Sequence, residues 1–240
     1  MEKTDATISS FTDFKNKKSE SSPAKQTLAD PVKIAWERAK KRFRDARGSH
    51  DWEHTLRVIR LCEHIGPIEK ADMTVLLIAA SLHDIGRCQQ DKSNGQICHA
   101  KIGAEMAQAI IDDLPLSEKK KSNIIGCIRT HRFRGNNILE TIEAKVLFDA
   151  DKLDAIGAVG IARAYLFAGE LGARLHNPEN NIQNTKSYSR DDTGFREFKV
   201  KLCKIKDRIL TREGCRMAEN RHDFMATFFQ RFIEEYNGNL

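Results

Sequence analysis

The sequence predicts an all-α fold: one helical bundle of about eight or nine helices spanning residues 30–237, preceded by a disordered polar tail over 1–29. Three observations carry this reading. Apolar residues recur at spacings of three and four along most of the chain, the period of a helix with one buried face. Capping residues open these runs, and Gly or Pro closes many of them. No stretch alternates polar and apolar residues as a half-buried strand would.

The tail, Met1 to about Leu28, is rich in Ser, Thr, Lys and Asp and shows no apolar period. Asp30-Pro31 then supplies an N-cap and a proline at the first helical position, where its missing N–H costs nothing. Ile34, Ala35, Ala39 and Phe43 follow at helical spacing as far as Gly48. A second helix is expected from about Asp51 to Ile65, stopped by Gly66-Pro67. The third, about Ala71 to Ile85, is apolar almost all round and belongs at the centre of the bundle; Gly86 ends it. Further helices are expected over about 99–113, 118–132, 140–152 and 154–169, with Leu114-Pro115-Leu116 and Gly135-Asn136-Asn137 as punctuation. A polar stretch from Gly172 to about Asp192 reads as a long loop. Helices over about 194–210 and 212–236 complete the chain, the last with Met225, Phe228, Phe229, Phe232 and Ile233 on its buried stripe.

Composition narrows the function. Of 240 residues, 40% are apolar and 31% charged, enough for a real core. No run approaches the roughly 18 apolar residues of a membrane span. The polar, acid-containing start is unlike a secretory signal, so a cytoplasmic protein is expected. Six cysteines lie scattered without a C-x-x-C pair, as reduced thiols would, and Cys98-His99 has no partner at zinc-site spacing. A net charge of +6 suits an anionic partner. The basic residues interleave with acids along helices, which argues for a solvated face over a nucleic-acid surface.

Histidines and aspartates fall in unusual places on this framework. His54 shares the apolar stripe of the second helix with Val58, Leu61 and Cys62, a position that fits a hydrogen-bonded core histidine or a ligand. His83-Asp84 ends the most hydrophobic helix, where a carboxylate is costly to bury without a partner. Neighbours on a helix diverge by about 100°, but at a terminus released by Gly86 both side chains can turn to one ion. An imidazole and a carboxylate together suit a divalent transition metal. Asp151, four residues after Leu147, faces inward, while Asp149 and Asp154 point elsewhere. Taken alone, this acid cluster fits a solvated helix end equally well.

Together, His54 in Glu53-His54-Thr55, the doublet in His83-Asp84-Ile85-Gly86, and Asp151 in Ala150-Asp151-Lys152-Leu153 resemble the HD-domain superfamily of metal-dependent phosphohydrolases. Ser49 to His54, Asp149 to Ala158, Thr211-Arg212-Glu213-Gly214 and Ala218 to Phe224 look like a bacterial subgroup of small stand-alone members, regarded as nucleotide phospho- or pyrophosphohydrolases. Similarity covers about Pro31 to Glu235. The resemblance implies that His54, His83, Asp84 and Asp151 hold a metal. It implies that His99 and His131 bind a second metal or the substrate phosphate. His50, one turn before His54, is a candidate to support the ligands or face substrate. Arg87, Lys152, Arg132 and Arg134 are placed to meet phosphate, and Asp84 or Asp154 is the expected proton acceptor. Mn²⁺, Fe²⁺, Co²⁺ or Ni²⁺ fit this donor set better than Mg²⁺. Arg87-Cys88-Gln89-Gln90 replaces the Glu-Asp pair of members acting on guanosine tetraphosphate, and the Gly-Tyr-Pro signature of the cyclic-dinucleotide branch is absent. The expected activity is cleavage of a nucleotide or related phosphate ester or anhydride by a metal-activated water. The alternative is a nucleotide-sensing regulatory protein that keeps the site and turns over little.

Overall fold

The structure, a computed structural model, describes residues 30–43, 52–93, 96–132, 138–179, 182 and 184–240. The predicted tail and His50 lie outside the described residues. Among the described residues there are α-helices and short 3₁₀ turns and no strand. The helices are α1 (Pro31–Lys40), α2 (Trp52–Ile68), α3 (Met73–Leu82), α4 (Arg87–Lys92), α5 (His99–Asp112), α6 (Glu118–Thr130), α7 (Ile142–Leu153), α8 (Gly157–Glu170), α9 (Gly194–Val200) and α10 (Arg212–Tyr236). Nine exceed six residues; the exception is α4, which the sequence did not signal. No helix among the described residues is long and apolar enough to cross a membrane.

Helix α3 sits where its composition demands. It packs against α1, α2, α6 and α7, and Leu76, Ile78, Ala79, Ala80 and Leu82 are fully buried. Asp72 caps it, accepting from the N–H groups of Thr74 and Val75. Glu143 at the start of α7 accepts from the Asp72 N–H at 2.7 Å and from the Asn123 amide at 2.9 Å, tying the starts of α3 and α7 to the middle of α6. On the other side, Trp52 at the start of α2 packs edge-on to Trp36 of α1 at 5.3 Å.

Two expected boundaries differ. Helix α2 runs through Gly66-Pro67 to Ile68. In the final turn proline removes only its own N–H, and the closing carbonyls of Ile65, Gly66 and Pro67 accept from Glu69, Ala71 and Lys70. Lys70, with φ 59°, makes the left-handed turn that a glycine usually supplies. The helix expected over 194–210 stops at Val200 and continues as 3₁₀ turns over Leu202–Lys204 and Lys206–Arg208. Buried Leu202 and Ile205 recur at three, the spacing that eclipses on a 3₁₀ helix.

Candidate metal centre

The chain reaches the centre from five helices. Helix α3 ends at Leu82, and His83 to Gly86 form turns before α4. That turn is possible against α5 because residue 86 has no side chain. A Cβ at Gly86 would collide with the His99 carbonyl and lie 2.7 Å from the Gly103 nitrogen. One at Gly103 would approach the Gly86 nitrogen to 3.4 Å, so this pair of glycines sets how near α5 comes to the doublet. Helix α2 brings His54, α5 brings His99 at its first residue, His131 caps the end of α6, and α7 brings Asp151 in its last turn.

Six of the residues expected from sequence converge. His54, His83 and Asp151 form one group whose ligand atoms lie within 4.8 Å of one another; Asp84, His99 and His131 form a second. Asp84 joins them. Its Oδ1 is 3.2 Å from His99 Nε2 and 3.6 Å from His131 Nε2. Its Oδ2 is 3.8 Å from His54 Nε2 and 3.9 Å from His83 Nε2. All four imidazoles and Asp84 are buried. Asp151, with 18% of its side chain exposed, marks the open edge.

Each ring is aimed by what its other nitrogen meets. Nδ1 of His54 is 2.8 Å from Asp154 Oδ2, that of His83 2.8 Å from the Ala80 carbonyl, that of His99 2.8 Å from Gln90 Oε1 and that of His131 2.6 Å from the Ile128 carbonyl. These oxygens only accept, so each of these bonds needs the proton on Nδ1 and leaves an Nε2 lone pair facing inward. Four imidazole lone pairs and a carboxylate pointing at each other in a buried space repel unless a cation lies among them. The buried Asp84 Oδ2 has no hydrogen-bond donor. The donor set therefore fits divalent ions, in one or both groups.

Electrostatics agree. Burial pushes the His83 imidazolium down to about 4 and that of His99 to about 2, leaving both rings neutral as ligands must be. For Asp84, burial is outweighed by Arg87 and His83, and the carboxyl stays well below its usual range. For Asp151 it is outweighed by Lys152 and His54, with the same result. His54 is raised: burial opposes protonation, but its bonds to Asp151 and Asp154 prevail.

The remaining expected residues sort by position. Lys152 Nζ bonds Asp151 at 2.5 Å and the His131 carbonyl at 3.3 Å. Arg87 Nε is 3.6 Å from Asp84 Oδ2. Arg132 reaches Cys98 Sγ at 3.1 Å. Arg134 is outside the described residues. Asp154, expected as a proton acceptor, is not gathered with those six residues; it lies behind His54, with its oxygens also taken by Arg57 at 2.7 and 3.1 Å and by Arg163 at 2.7 Å. Arg57, Arg163 and Gln90 are absent from the sequence-based set. Arg57 was findable, being three residues after His54 on the same helix face; the other two carried no local signal.

The HD domain family model matches residues 51–156. Uncharacterized protein YpgQ of Bacillus subtilis (strain 168) is 33% identical over 204 residues, covering 81% of this chain and 88% of that protein. The chain belongs to the HD-domain superfamily. An HD-superfamily hydrolase from Bacillus thuringiensis matches the structure of this HD protein with a TM-score of 0.69 at 27% identity, over 88% of this chain and 99% of that one. The crystal structure of Bacillus subtilis YpgQ in complex with ADP matches with a TM-score of 0.66 at 27% identity, over 85% and 94% of the two chains. This chain thus has the HD-superfamily hydrolase fold, and both histidine and aspartate groups fall within the residues the family model matches.

Proposed function

We propose that this HD-domain protein is a metal-dependent phosphohydrolase acting on a nucleotide or a related phosphate ester or anhydride. The observation that carries the reading is Asp84: a buried carboxylate between two histidine groups, with one oxygen lacking any donor. On this reading His54, His83, Asp84 and Asp151 hold one divalent ion, and Asp84, His99 and His131 can hold another. Mn²⁺, Fe²⁺, Co²⁺ or Ni²⁺ match the mixed nitrogen and oxygen donors; Mg²⁺ prefers oxygen. When bound, such an ion polarises a phosphoryl oxygen and lowers the pKa of a coordinated water.

The chain's own residues do the rest. Arg87, beside Asp84, and Lys152, beside Asp151, are assigned to the phosphate oxygens, where a guanidinium offers a paired donor. Asp154 is assigned to orienting His54. Its oxygens are engaged by His54, Arg57 and Arg163, so of the two proton acceptors expected from sequence only Asp84 faces the other ligands. The nucleotide reading draws on the YpgQ–ADP structure of a similar protein and on these cations. The free cysteines suit a reducing cytoplasm.

The test is to strip the protein with a chelator, add each divalent cation in turn, and assay a nucleotide panel for phosphate and pyrophosphate. Release with Mn²⁺, Fe²⁺, Co²⁺ or Ni²⁺ and its loss on chelation is the expected result. Metal-dependent nucleotide binding with negligible turnover would assign the protein to nucleotide sensing instead.

A further inference from the structure

Of the four histidines in the centre, two are aimed by backbone carbonyls and two by side chains. A main-chain oxygen is present whatever the sequence. Asp154 and Gln90 are therefore the positions at which this chain chose how a ring is held. Gln90 lies in α4, the six-residue helix that follows the doublet.

Its amide is held in one orientation. Cys98, the N-cap of α5, makes no side-chain cap. Gln90 Oε1 takes that place, accepting from the His99 backbone N–H at 3.3 Å. A backbone N–H only donates, so the amide oxygen, and not its NH₂, faces His99. That same oxygen is 2.8 Å from His99 Nδ1. The ring must then carry its proton on Nδ1.

A competitor stands beside it. Arg87 NH1 is 3.1 Å from the same Nδ1. A guanidinium only donates, so a bond from Arg87 would require Nδ1 bare and the proton on Nε2. His99 Nε2 is the atom facing Asp84 Oδ1 at 3.2 Å and His131 Nε2 at 3.1 Å. Protonated, it could not serve as a ligand. Two neighbours thus demand opposite tautomers of one neutral ring.

We propose that Gln90 is a positioning residue that holds the His99 proton on Nδ1 against Arg87, keeping Nε2 open as a ligand of the second ion group. Arg87 is thereby left to act as a cation beside Asp84 and not as a donor to His99. The same geometry makes the two groups unequal. Asp154 behind His54 is anionic and raises the basicity of that ring, whereas Gln90 behind His99 is neutral. The group of His54, His83 and Asp151 therefore fills first.

The consequence for metal rests on the function proposed above; the tautomer does not. Long-range ¹H–¹⁵N spectra of the metal-free full chain, with His99 assigned through His99→Asn, report which nitrogen carries the proton. The wild type is expected as Nδ1–H, Gln90→Glu also as Nδ1–H, and Gln90→Leu as Nε2–H. Mn²⁺ titration followed by calorimetry is expected to show the second binding step weakened about 10- to 100-fold in Gln90→Leu and at least as tight as wild type in Gln90→Glu, with the first step unchanged. Nε2–H in the wild type, or a lower Tm in Gln90→Leu with Nδ1–H retained, overturns the proposal and leaves Gln90 a helix cap only. If Gln90→Leu does not fold, the wild-type and Gln90→Glu spectra still decide. If Mn²⁺ binds at neither step while the tautomers behave as stated, the metal-centre reading fails and the role of Gln90 in placing the proton stands.

Discussion

His54 Nδ1 meets Asp154 Oδ2 at 2.8 Å, while Nε2 of the same ring lies 3.4 Å from both His83 Nε2 and Asp151 Oδ1. The carboxylate and the candidate ion thus sit at opposite nitrogens, and the ring's aim depends on an acid that never reaches the ion. Asp154→Asn keeps the shape and one acceptor oxygen but removes the charge. It is expected to weaken Mn²⁺ binding about 10- to 100-fold, with the fold retained by circular dichroism. Unchanged affinity would show that Asp154 serves only to neutralise Arg57 and Arg163.

The Gly86–Gly103 contact predicts a contrast between two like substitutions. At residue 86 an alanine methyl meets backbone of α5, which cannot rotate away; at 103 the nearest approaches are 3.4 and 3.6 Å. Gly86→Ala should destabilise the protein by about 1–3 kcal/mol and disturb metal binding through His99, whereas Gly103→Ala should cost less. Urea melts of both variants measure the difference, and equal costs would contradict it.

Asp149 carries a different duty from its neighbour Asp151. Fully buried, it accepts from the N–H groups of Leu210 and Thr211 and from the Thr211 hydroxyl, at 2.7 to 2.9 Å for its closest contacts. It fastens α7 to the start of α10, although burial pushes its carboxyl up to about 6. Asp149→Ala strands at least the buried Thr211 N–H, an expected loss of about 1–3 kcal/mol in urea melts. Mn²⁺ affinity should be unchanged, which separates this acid from Asp151, the candidate ligand two residues away.

For the metal-free protein, pH dependence follows from His83. Folded, it protonates only near 4; its ordinary value is 6.5. Between those values the unfolded chain holds a proton that the native state does not, so stability rises with pH across the window and is lost as pH falls from about 6.5 toward 4. His99, also depressed, acts in the same direction, and His54 and Asp149, which are raised, oppose it. Thermal melts in chelator from pH 7 to pH 4 should show a falling Tm, with a shallower slope for His83→Asn. A flat profile in the wild type would contradict buried neutral rings.

What could be read from sequence was what local pattern encodes. The apolarity of residues 75–82, broken only by Ser81, placed α3 at the centre, and a costly His83-Asp84 doublet at its end marked the site. Burial is a period and a composition, so it is legible. Asp154 shows the limit. Its offset from Asp151 put it off the inward face, but whether it met solvent or the back of His54 depended on α2 lying alongside α7. Gln90 was hidden in the same way, because α4 has no apolar period and is held by its contact with α5. The end of α9 was misjudged because no Gly or Pro marks residues 199–208. The N–H groups of Leu210 and Thr211 are instead claimed by Asp149, about sixty residues away in sequence.

The most direct measurement is anomalous diffraction at the manganese edge from crystals of the chelated protein soaked in Mn²⁺. The account predicts a peak among His54, His83, Asp84 and Asp151, and at higher Mn²⁺ a second beside His99 and His131. No peak at either place, with the four imidazoles still facing one another around Asp84, would contradict it.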